Sequence, residues 1–120
     1  MNLVLKSYST TDINIINKDT PTDDTELQIS IGRKFKQNGN TVILYLFASI
    51  SKACESVQLE KSFQIDCKIE GIFECNSSIS KEDINYESTL LLMPYIRSNI
   101  STLCGIIGIY NIQLPFMEFN

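Results

Sequence analysis

Apolar and polar residues alternate along most of the first two-thirds of the chain. From Glu26 onward, Leu27, Ile29, Ile31 and Phe35 share one parity, while Gln28, Ser30, Lys34 and Lys36 share the other. That pattern predicts a strand with one wet face. Asn38-Gly39 follows, a hairpin signal between two strand-like runs. The next run, 42–50 (VILYLFASI), is apolar at both parities and predicts a central strand covered on both faces. Residues 59–75 alternate most clearly, with Phe63, Ile65, Cys67, Ile69, Phe73 and Cys75 against Gln64, Asp66, Lys68, Glu70 and Glu74. Gly71, inside this run, is expected to mark a bulge or bend. Ahead of all these, Leu3-Val4-Leu5 and Ile13-Asn14-Ile15-Ile16 predict one interrupted strand, closed by a Pro/Asp/Thr-rich loop at 18–25.

The last third changes period. Leu92, Ile96, Ile100, Leu103 and Ile107 recur at steps of four, four, three and four, one apolar stripe along a helix. Ser80 with Asp83 reads as a capping pair, so a short helix is expected to begin at Lys81 and lead toward Leu90. Pro94 lacks an amide hydrogen and crowds the preceding turn, so the main helix is expected to start close to it or kink there. Gly108 is the expected left-handed terminator. Beyond it, Leu114-Pro115-Phe116 should be extended. The elements add up to an α+β chain: a four-stranded antiparallel sheet in meander order, then a long C-terminal helix and a short extended tail. One domain over 1–120 is the expectation.

Composition narrows the function. Hydrophobic residues make up 43% of the chain, so a packed core is expected rather than disorder. The net charge is −4 with no lysine–arginine run, which argues against nucleic acid as a partner. No apolar run reaches membrane-spanning length, and the N-terminus lacks a basic lead and a signal-like apolar core. A cytoplasmic protein with no membrane insertion is expected. Cys54, Cys67, Cys75 and Cys104 then read as reduced, structural thiols. The chain contains no histidine and no CxxC, so neither a zinc site nor the usual general base is in view. Asp66, Glu70 and Glu74 read as solvated charge on a strand. No catalytic site, metal or cofactor is expected.

Two stretches carry a family resemblance. Pro94, Tyr95, Arg97, Ile100, Ser101 and Leu103, then Gly108, Leu114, Pro115 and Phe119, form an ordered set similar to the C-terminal signature of the SecB family of protein-export chaperones. Glu118 and Phe116 depart from it, standing where asparagine and a second proline are usual. The run FQIDCKIEGIFEC resembles the same family, and together they span roughly residues 26–119. The resemblance implies tetramers built as dimers of dimers, with helices between sheets and hydrophobic grooves that hold unfolded preproteins. Longer members continue into a further C-terminal helix that contributes to the groove and to docking on the translocase motor. The chain ends at Asn120 without it, which shifts the expectation away from motor docking and general export. One dedicated client comes into view instead, such as the antitoxin of a toxin–antitoxin–chaperone system; a further alternative is a mobile-element protein that has kept the fold to bind one partner.

The residues themselves point the same way. A strand apolar on both faces needs two covers and one helix supplies one, leaving apolar area for sister subunits or foreign chain. Tyr45, Phe47, Tyr95, Ile109, Tyr110, Phe116, Met117 and Phe119 are the candidates for a polypeptide-binding groove. Leu92, Ile96, Ile100, Leu103 and Ile107 are the candidates for a homo-oligomer interface. The leading expectation is a SecB-like holdase for non-native polypeptide, which needs no cofactor or nucleotide. The alternative is a protein-binding module or inhibitor with one partner. An enzyme on a hotdog-like fold fits poorly, because there the helix follows an early strand.

Overall fold

The computed structural model describes residues 2–22, 24–53, 61–76 and 79–109. Four strands precede one helix: β1 (Leu3–Asn17), β2 (Leu27–Asn38), β3 (Thr41–Lys52), β4 (Phe63–Cys75) and α1 (Lys81–Ile106). All neighbouring strands are antiparallel and the sheet order is β1-β4-β3-β2. The expected meander therefore holds only for β2, β3 and β4. β1 crosses to the far edge beside β4, a Greek-key arrangement that makes β3 and β4 central.

Register explains local sequence. Asn38 pairs with Thr41, so Gly39-Asn40 forms the β2–β3 loop. Gly39 has φ +61° and no non-glycine residue among those described is positive, the II′ pattern with glycine first, which matches strand twist. β1 meets β4 with register shifts between Leu5 and Ser7 and between Thr10 and Asp12. Each shift is a bulge of one extra residue in β1. Their effect on facing is decisive: Leu3, Leu5, Tyr8, Thr10, Ile13 and Ile15 lie opposite Cys75, Phe73, Gly71, Ile69, Cys67 and Ile65. Simple alternation would have thrown Tyr8 and Thr10 to the other side.

β3 departs from its expected double cover. Val42, Leu44, Leu46, Ala48 and Ile50 are fully buried, whereas Ile43, Tyr45 and Ser49 are half-buried and Phe47 is exposed. Its second face has no helix over it among the described residues. The two predicted helical pieces are instead one helix of 26 residues, and Pro94 lies inside it on an exposed position. There the missing amide hydrogen faces the wet side, where water can serve the freed carbonyl. Ser80 caps the start, its hydroxyl accepting from the Asp83 amide at 3.1 Å. At the end, Gly108 takes φ +88°, its amide donates to Gly105 O at 3.2 Å, and the Ile109 amide donates to Cys104 O at 2.8 Å. This pair of bonds is a Schellman motif, so the predicted terminator is correct.

The helix packs on the inner sheet face through Ile84, Leu92, Met93, Ile96, Ile100, Leu103 and Cys104, all buried. Gly71 is flat in β4 and makes no bulge there; its role is space. A Cβ on it would lie 2.9 Å from Leu92 Cδ1 and 3.0 Å from Phe73 Cε2. Glycine lets the helix come down onto the middle of the sheet. Gly71→Ala should therefore lower stability by about 1–3 kcal/mol through overpacking. Urea unfolding followed by circular dichroism measures this, and an unchanged midpoint would contradict the close-approach argument.

Candidate polypeptide-binding surface

A helix with side chains is about 10–12 Å across, while the outer strand axes of a four-stranded sheet lie roughly 15 Å apart. One helix cannot roof the whole sheet, and α1 sits over β4, β3 and β1. Along the β1 margin, Tyr8 and Ile13 face the helix side yet are 47% and 50% exposed. Tyr8 stacks on Tyr95 with ring centroids 4.1 Å apart and planes tilted by 32°. Next to this pair, the Asn99 amide donates to Thr10 Oγ1 at 2.9 Å. Along the β2 margin, Ile29, Ile31 and Phe35 touch the core but remain half open, and Leu90 of the helix is exposed beside its buried neighbours. Arg33 shares their parity and reaches under the helix, where Nη1 donates to Thr89 Oγ1 at 3.1 Å. Desolvation there lowers the guanidinium pKa from its ordinary value.

The opposite, outer face carries Ile43, Tyr45 and Phe47 from β3 beside Ile72, Glu70 and Lys68 from β4 and Lys36, Lys34 and Gly32 from β2. Asp66 on this face is held in a polar cluster, accepting from Ser49 Oγ at 2.6 Å, Gln64 Nε2 at 2.8 Å and Asn14 Nδ2 at 3.2 Å. Polar groups thus gather around Asp66 at one end of the face, with Phe47 and Tyr45 nearer its middle.

The groove residues expected from sequence do not converge. Tyr45 and Phe47 belong to the outer face, whereas Tyr95 and Ile109 lie on the helix side, Ile109 packed against the core beyond the helix end. Tyr110, Phe116, Met117 and Phe119 lie outside the described residues, as does Cys54. The stripe expected to face a sister subunit is internal: Leu92, Ile96, Ile100 and Leu103 are buried against the chain's own sheet, and Ile107 is half-buried at the helix cap. The physical reason is that a lone helix over a sheet must first bury its own apolar stripe. Tyr8, Ile13, Ile29, Ile31 and Phe35 were not among the sequence candidates. The β2 members were legible in their parity, but the β1 members depend on bulges that no spacing announces.

No protein-family model matches the chain and no curated relative matches it by sequence. Among solved structures, it is similar to the Mycobacterium tuberculosis SecB-like chaperone in complex with a ChAD peptide from the HigA1 antitoxin. The TM-score is 0.73 at 10% sequence identity, covering 98% of this chain and 88% of that one. The fold is SecB-like. No helix in the described residues is long and apolar enough to cross a membrane.

In this SecB-like fold the described thiols Cys67, Cys75 and Cys104 are buried. Desolvation raises the Cys67 pKa, opposed by a bond from Asn99 and reinforced by Asp12; desolvation alone raises that of Cys104. Raised pKa values leave both as neutral core groups rather than nucleophiles. Protons are then held more tightly by the folded state. Their contribution to stability is complete below the ordinary thiol value of 9.0 and is lost as pH rises through the folded-state values. Urea unfolding over an alkaline pH series should show this fall, reduced in a variant combining Cys67→Ala with Cys104→Ala. An identical slope in that variant would contradict it.

Proposed function

We propose that this protein is a SecB-like molecular chaperone, a holdase that keeps non-native or partner polypeptide in solution by covering its apolar side chains. The observation that carries the reading is the half-open apolar margin on both sides of α1, in a fold shared with a chaperone solved with a bound peptide. Side chains such as Tyr8, Ile13 and Phe35 are held by the scaffold yet retain surface to bury. Each offers about 1 kcal/mol on contact with a client, since full burial of such groups is worth roughly 1.5–3 kcal/mol. Many weak, sequence-tolerant contacts of this kind suit an extended chain. No cofactor or catalytic step is needed, because a bound client is withdrawn from aggregation by mass action.

A second, narrower reading is a dedicated chaperone for one client, such as an antitoxin. It is favoured by the antitoxin peptide bound to the M. tuberculosis neighbour. Assembly into dimers or dimers of dimers belongs to the proposal, with the helix margins and the exposed Ile106, rather than the internal helix stripe, as the surface shared between copies.

Purified protein should suppress light scattering by a chemically unfolded client at stoichiometric ratio. A variant combining Tyr8→Ser with Ile13→Ser should do so several-fold less well while unfolding at a similar temperature. Failure of the unaltered protein to slow scattering would end the general holdase reading. Capture from the native cell separates the two versions: one dominant client supports the dedicated chaperone, and a broad set of nascent chains supports the general one. Native mass spectrometry should find an oligomer, and a clean monomer would remove the proposed assembly.

A further inference from the structure

Gly32 lies in the middle of β2 without a conformational reason to be glycine. Its φ is not positive, and a Cβ placed on it would meet nothing within 4 Å. A glycine inside a strand weakens it, and one that neither turns nor crowds often marks a place where another chain comes close. Its cross-strand partner is Phe47. A side chain at position 32 would stand beside the Phe47 ring on the outer face. Without one, the ring is 36% exposed and borders an open depression of about 590 Å³.

Charge surrounds that depression. Lys34 is paired across the strands with Tyr45, and Lys68 with Phe47. The Lys36 ammonium lies 5.9 Å from the centroid of the Tyr45 ring. None of Lys34, Lys36 and Lys68 is in an ion pair among the described residues. The nearest carboxylates on the face, Asp66 and Glu70 on β4 and Asp12 on β1 opposite Lys68, all lie away from β2, so the β2 side of the rings is positive. This local sign is opposite to the net charge of −4 carried by the whole chain. An apolar floor with a cationic rim complements an apolar side chain flanked by carboxylates.

We propose that this depression docks an extended acidic polypeptide segment, one apolar side chain seated against Phe47 and Tyr45 and its flanking carboxylates meeting Lys34, Lys36 and Lys68. The proposal rests on the reading of the protein as a polypeptide binder and names the class of segment this face accepts. Nucleic acid is the poorer occupant, because three lysines on an acidic protein neutralise few phosphates.

Fluorescence anisotropy with two labelled synthetic peptides tests it, one alternating glutamate with leucine and the other alternating lysine with leucine. The acidic peptide should bind at least about tenfold more tightly, with affinity falling as salt rises. Lys34→Glu combined with Lys36→Glu should remove that preference. Gly32→Val should weaken acidic-peptide binding by about tenfold while leaving the melting temperature unchanged or raised, since a β-branched residue suits an open strand position. Equal affinity for the two peptides overturns the proposal. So does unchanged binding in both variants, or tighter binding of a single-stranded oligonucleotide that displaces the peptide. The outcome is separable from the chaperone reading: variants that lose the acidic peptide yet still suppress aggregation support this docking site and leave the helix-side margins as the client surface. Unaltered protein that binds the acidic peptide but never suppresses aggregation keeps the site and ends the holdase reading.

Discussion

The approach of Leu92 to Gly71 sets the rest of the molecule. It fixes how deep the helix lies and over which strands, since packed side chains admit little adjustment at that distance. With α1 drawn down over β4, the centre of the sheet is sealed: Leu44, Leu46, Ile65 and Ile69 are fully buried. The margins are left over. Tyr8 and Ile13 on one side, and Ile29, Ile31 and Phe35 on the other, take only part of the cover. Partial exposure of apolar residues is therefore a geometric outcome of placing one helix on four strands, before any question of use arises.

The inner and outer faces differ in chemistry as well as cover. The inner margins are apolar, with Arg33 turned inward to Thr89 so that its stem adds to the apolar lining. On the outer face, aromatic rings lie among lysines, and a polar cluster around Asp66 occupies one end. A chain that must hold an unstructured partner can use the first for burial and the second for orientation, because long-range charge acts before contact is made.

What the sequence discloses depends on how local the determinant is. The hairpin glycine, the Ser80 cap and the Gly108 terminator act within a few residues, and each is readable from a few neighbouring letters. The alternation of β2 and β4 is nearly as local. Facing in β1 is not, because its bulges at Lys6 and Thr11 answer to the partner strand and invert the parity between them. β3 fails for another reason: apolar residues at both parities look alike whether both faces are covered or one is an uncovered surface. The proposed groove list failed to converge because spacing along the chain does not say which side of a sheet a later element will occupy. Tyr45 and Tyr95 are both aromatic and both half-buried, yet the sheet lies between them.

The paired bulges of β1 reach beyond facing. A free strand edge is a template on which another copy can extend the sheet, and repetition of that step yields fibres. β1 is the longest strand, with 15 residues, and lies at an edge of the sheet. Each inserted residue breaks the even spacing of donors and acceptors and adds local twist, leaving short stretches that a newcomer cannot follow from end to end. At the other edge the guards are the ammonium groups of Lys34 and Lys36, which repel their own kind. Unsealed apolar surface is thus carried without offering a foreign strand any long, regular seam.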